Sequence, residues 1–163
     1  MKLSGVDDVV RALQQAQEDV IQAAMKGLLR AGLLLEARGK ALAAVDTHNL
    51  ENSIAADQAV KRTAESLSIQ VTCLATSGAG VSKTGGEPGE VYSEKVHENM
   101  EYDGPNVGGS RTQARGEATI RKGVSVVEPT DGTAGGKFLE RPLRNKPEKY
   151  TELITEAVSE ALA

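Results

Sequence analysis

Apolar residues recur every three to four positions over two stretches near the start of the chain: Val9, Val10 and Leu13, and then Ile21, Ala24, Met25, Leu28, Ala31, Gly32 and Leu35. That spacing is the period of an amphipathic helix. Ser4 followed by Asp7 has the capping-box spacing, so the pattern predicts a helix starting near Val6. The second segment, about Val20 to Ala44, is the longest helix expected; at ~1.5 Å per residue it spans about 37 Å. Leu29, Leu33 and Leu34 widen its apolar surface beyond one stripe, which predicts two covered faces, one against the chain's own sheet and one against something else. Gly27, Gly32 and Gly39 each disfavour a helix interior by about 1 kcal/mol. Either another backbone approaches closely there, or the helix breaks near Gly39.

The period then changes. Leu67, Ile69, Val71, Cys73 and Ala75 alternate with Ser68, Gln70, Thr72 and Leu74, the pattern of a half-buried strand. Ile54 to Lys61 reads as its antiparallel partner, with Arg62 to Glu65 as the turn. Tyr92 to Met100 reads as a third strand, and Val124 to Val127 as a short fourth. Tyr150, Leu153, Ile154, Ala157, Val158, Ala161 and Leu162 return to helical spacing after Pro147, a residue suited to a first turn. Between these elements lie two segments without periodicity. Residues 77–90 hold five glycines and Pro88, and Glu101 to Gly136 hold eight glycines and two prolines. A segment of that second length is more than an idle connection. Its charges nearly balance, with Arg111, Arg115, Arg121 and Lys122 against five acids, so it reads as an arm that contacts protein.

The expected fold is therefore α+β in one domain, 1–163, with extended loops at 77–90 and 103–136. A long N-terminal helix packs on a small antiparallel sheet of three to four strands, joined by a C-terminal amphipathic helix and a long glycine-rich loop. Composition sharpens this picture. Aromatics are 2% of the 163 residues, with one Phe and no Trp, so the core must be aliphatic and thin. Part of the stability is then expected from neighbouring subunits. A formal net charge of −4 gives no broad attraction to nucleic acid or to an anionic membrane. No apolar run approaches a membrane span, the N-terminus lacks an apolar signal core, and Cys73 alone allows no internal disulfide.

Candidate chemistry is sparse. Gly78 to Thr84 follows a strand but lacks the glycine a phosphate loop needs before Lys83, and Gly85, Gly86, Pro88 and Gly89 oppose the helix that must follow. His48 and His97 have no ligand spacing; His48 reads as exposed in a turn, and His97 as a strand residue facing solvent or a partner. Ser53 has no nucleophile elbow around it. Asp46 or Thr47 accepts an amide hydrogen bond to start a short helix at His48 to Ser53, pointing Leu50 and Ile54 to the core. No catalytic, cofactor or metal site is expected.

Three blocks occur in order: Asp46-Thr47 with Leu50, Ser53 and Ile54; Tyr92 with Val96, His97 and Glu98; and Lys137-Phe138-Leu139 with Pro142 and Leu143. Their arrangement resembles the tail-completion or neck family of long-tailed bacteriophages, which joins head to tail. Ala44 stands where that family usually has proline, and His48 where it has glycine. The resemblance implies a structural virion protein made in the host cytoplasm and assembled as a homo-oligomeric ring, sixfold in the family's setting. Its implied partners are the connector or stopper protein and the tail-terminator or tail-tube protein, with DNA at most passing through the lumen. Leu29, Leu33, Arg111, Arg115 and Arg121 are the candidate interface. The alternatives are a tail-terminator ring protein, or a small hydrolase or nuclease using His48 and His97.

Overall fold

A computed structural model of the chain describes residues 5–43, 49–75, 93–98, 120–121, 124–125 and 136–163. The loop segment 77–90, most of 103–136, and Ser4 with its expected cap lie outside them. The chain begins with one helix, α1 (Val6–Leu42), of 37 residues. At ~1.5 Å per residue it is about 55 Å long. The two sequence stretches are thus one rod. Gln14 to Glu18, without a large apolar residue, continue it because Gln, Ala and Glu are good helix formers, and side chains bond one turn apart: Gln15 donates to Asp19 and Gln22 to Glu18, both at 2.8 Å. The helix starts at Val6, as its pattern predicts, but from Gly5 in a left-handed conformation at φ 101°, with no side-chain cap.

α2 (Asn49–Ser53) leads directly into β1 (Ile54–Ala56), and β2 (Lys61–Arg62), β3 (Leu67–Ser68) and β4 (Val71–Cys73) follow. The expected hairpin forms, its turn at Thr63 to Ser66, where the Ser66 amide donates to Thr63 Oγ1 at 3.0 Å. It is split into two ladders, β1 with β4 and β2 with β3, rather than one continuous sheet of three to four strands. Ala56 pairs with Val71 and Lys61 with Ser68, so four residues on one arm oppose two on the other. The surplus interrupts the ladder as a bulge does, and Ile69 seats against α1 at Gly32.

Tyr92 to Met100 departs from expectation. Residues 93–98 are a short helix, α3 (Ser93–Glu98), not a third strand. Val96 is the one aliphatic residue among them, so no alternation supports a strand, while Glu94, Lys95 and Glu98 favour helix. Further on, β5 (Ile120–Arg121) pairs with β6 (Val124–Ser125), which sits where the fourth strand was expected. The chain closes with α4 (Glu140–Asn145) and α5 (Pro147–Leu162), the second carrying Pro147 in its first turn as predicted.

α5 runs back along α1. Tyr150 packs with Ala31 and Leu35, and further along α5 Ile154 and Ala157 meet Gly27. A Cβ on Gly27 would lie 2.6 Å from Ile154 Cα and 2.8 Å from the Leu153 carbonyl oxygen. Gly39 is likewise filled, by Leu139 Cδ2 at 2.6 Å from the equivalent point, and α1 passes through it unbroken. The helix does not break, and the close approach is of a backbone at Gly27 but of side chains at Gly32 and Gly39.

Two small clusters form the core. The larger gathers Leu42, Ala43, Leu50, Ile54, Ala75 and Phe138 at the C-terminal end of α1; the smaller holds Ala31, Leu35 and Tyr150 midway along it. Val71 packs against both. Apart from Phe138 and Tyr150 every member is aliphatic, as the composition requires.

Candidate functional site

The three sequence blocks meet at the larger cluster. Leu50 and Ile54 come from the α2–β1 corner, where Ser53 Oγ donates to the Leu50 carbonyl at 2.7 Å and lies 3.3 Å from Cys73 Sγ. Phe138, fully buried, comes from the turn before α4. His97 comes from α3 and sets its ring against Phe138 edge to face, 4.9 Å between centroids at 85°. Leu50, Ile54 and Phe138 each contribute roughly 1.5–3 kcal/mol through burial, so each block is held by the other two.

Polar contacts lock the same point. Ser93 Oγ donates to the Cys73 carbonyl at 2.9 Å, tying α3 to β4. The Lys137 amide donates to the His97 carbonyl at 2.5 Å, and the Lys137 ammonium bonds Glu98 and lies 3.2 Å from Glu140. Lys137 adopts φ 55°, a left-handed conformation that turns the chain so that the Arg141 amide reaches its carbonyl at 2.8 Å and α4 can begin. The hydrogen bonds from Lys137 and then from His97 hold the Glu98 carboxyl below its ordinary value, and the bond to Glu98 holds the Lys137 ammonium above its own.

Several expected residues are therefore brought together: Leu50, Ser53, Ile54, His97, Phe138 and Leu139. His97 is corrected from a strand residue facing outward to a helix residue with its side chain 21% exposed and its ring on the core. Val96 lies on α3, of which only the backbone is described there. Asp46, Thr47, His48, Tyr92, Arg111 and Arg115 lie outside the described residues, and Arg121 is placed only as a position on β5. Among the described residues no three His, Cys, Asp or Glu side chains come together as metal ligands. No described helix is long and apolar enough to cross a membrane.

Sequence reasoning missed the ties that join distant segments. Arg62 clamps the hairpin tip to α1 with Nη1 at 2.7 and 2.9 Å from the two Glu18 carboxylate oxygens, which lowers the Glu18 pKa. Arg38, buried on α1, lies over the Tyr150 ring at 5.8 Å. Glu36 accepts from Lys40 at 2.5 Å and from the Ala56 amide at 2.9 Å. Only the Glu36–Lys40 pair had a local signal, its four-residue spacing.

The candidate interface residues on α1 are the outer ones: Leu29 is half-buried and Leu33 is 51% exposed. More apolar surface lies nearer the N-terminus. Residues 5–17 are all exposed, and they include Val6, Val9, Val10 and Leu13 at helical spacing. Comparison of the chain with protein-family models, with curated proteins and with solved structures finds no match.

Proposed function

We propose that the chain is a structural subunit of the phage neck, of the tail-completion type, which joins the capsid connector to the tail as a ring of copies. The observation that carries this reading is the convergence of the three blocks. Segments around Leu50, Lys137 and His97, far apart in sequence, meet on Phe138 and Ile54 and set the angle between the long helix and the hairpin. Leu50, Ile54, His97 and Phe138, among the residues that carry the resemblance to the neck family, build this chain's joint, and in this reading the exposed helix surface is left for neighbours. The arm, Glu101 to Gly136, reaches in this reading to an adjacent subunit or another neck protein. The ring performs no catalysis, and DNA touches at most its lumen.

The test is electron microscopy of phage particles assembled without this protein. Filled heads beside separate tails of normal length are the expected result. Normally tailed particles would overturn the proposal, and loose tails of irregular length would point instead to a terminator ring, the part that stops tail growth.

A further inference from the structure

The N-terminal three turns of α1 stand clear of the rest of the described fold. On that overhang Val6 is 50% exposed, Val9 59%, Val10 46% and Leu13 66%, a four-residue apolar stripe with the i, i+3, i+4, i+7 spacing of a helix contact face. Further along, where α5 and the hairpin cover α1, the same face is covered: Gly27, Ala31 and Leu35 are buried, and Ala24 and Leu28 half-buried. Clustered exposed apolar surface of this kind marks a contact surface. Asp7 flanks the stripe, whereas Asp8 is paired with Arg11 at 3.3 Å on the far side.

A second outer surface lies about 30 Å further along the same helix. Leu33 is 51% exposed there with Leu29 one turn before it, and Lys26 and Arg30 are exposed beside them. From Val20 to Leu35 these two are the only charges and both are positive, whereas the overhang from Gly5 to Gln17 carries two acids and one base. At ~100° per residue the two surfaces fall on nearly opposite sides of the rod.

We infer that the overhang of one copy docks on the Lys26–Leu33 surface of the next, the Val6–Leu13 stripe covering Leu29 and Leu33 and Asp7 facing Lys26 and Arg30. The occupant is a second copy of this chain because the two surfaces match in apolar character and oppose in charge, and complementary charge selects and orients partners. One chain cannot join its own two surfaces, being rigid and carrying them apart. Two copies joined this way leave one overhang and one acceptor surface open. The contact is therefore heterologous, and it closes into a ring when its rotation closes. The inference deepens the ring reading by naming its surfaces.

The experiment uses the purified full chain and sedimentation velocity, with circular dichroism to verify that each variant keeps its helix content. Wild type should associate beyond a dimer. Val9→Asp with Leu13→Asp, and separately Leu33→Asp, should each be monomeric, since all three side chains are exposed. Mixed one to one, the two variants should form a dimer and nothing larger, each supplying the surface the other lacks. Asp7→Lys should weaken association about two- to fivefold, the range of exposed ion pairs, and adding Lys26→Glu and Arg30→Glu in the same chain should restore it. A monomeric wild type, a single-surface variant that keeps the wild-type oligomer, or a mixture without dimer would overturn the inference. The particle assay above stands apart from these outcomes: failure there with the mixed dimer intact would remove the neck reading and leave the contact.

Discussion

Glu36 does its work with one carboxylate on two partners. Partial burial raises its pKa, but the Lys40 ammonium and the Ala56 amide, both donating to it, outweigh that and hold it below the ordinary 4.5. A carboxyl depressed in the folded state stabilises the fold above its unfolded value, and the stabilisation is lost as pH falls through the folded value. Stability should therefore be level from neutrality to about pH 4.5 as far as Glu36 is concerned, and decline below that. Urea unfolding of Glu36→Gln across pH 3 to 7 checks this: the variant should be weaker than wild type at pH 7, with the gap narrowing toward pH 3. Equal gaps at both ends would mean the charge contributes nothing.

At the scale of elements, the seam between α1 and α5 depends on the absence of side chains on one helix. Ala in place of Gly27 gains about 1 kcal/mol in helix propensity, but its Cβ would press on the α5 backbone at Ile154 and Leu153. Backbone cannot rotate aside, and overpacking typically costs about 1–3 kcal/mol. At Gly32 the obstacle is the Ile69 side chain, with Cδ1 at 2.6 Å and Cγ1 and Cγ2 at 3.2 and 3.3 Å, which a rotamer change and a small shift can relieve where a backbone cannot. Thermal denaturation should show Gly27→Ala melting below wild type and Gly32→Ala close to it or above.

The same seam shows which features were readable in the chain. The amphipathic spacing of α1 and α5 and the inward direction of Leu50 and Ile54 were visible because periodicity is local. Whether Gly39 broke the helix or admitted a neighbour was undecidable without Leu139, which lies a hundred residues away. α3 was misread for want of apolar alternation around Val96. The bonds of Ser93 to Cys73 and of Lys137 to Glu98 join residues 20 and 39 positions apart. In a chain with 19 basic and 23 acidic residues no pairing of that kind is singled out by sequence.

For the whole molecule, the expected division is between a folded body and the arm. The described body has two clusters of its own, one at the C-terminal end of α1 and one midway along it, and their described members all lie within 31–75 and 138–150. Deleting residues 104–135 should leave helix content and the melting transition close to wild type while abolishing assembly into particles. An unfolded deletion variant, or one that complements normally, would sink the arm's assigned role. The three-block junction was legible as an ordered pattern; that its members touch through Phe138 was not, because the blocks share no periodicity that links them.

The short β1–β4 ladder is plugged on both flanks, by the Glu36 carboxylate on the Ala56 amide and by the Ser93 hydroxyl on the Cys73 carbonyl. Open strand margins are where chains accrete into fibrils, each recruiting the next through main-chain bonds. With those two groups occupied, each outer edge of this ladder offers an added strand one main-chain partner fewer. Copies crowded together at high local concentration are then left to meet through side chains on their helices, where register is chosen by shape and charge instead of by an indiscriminate backbone.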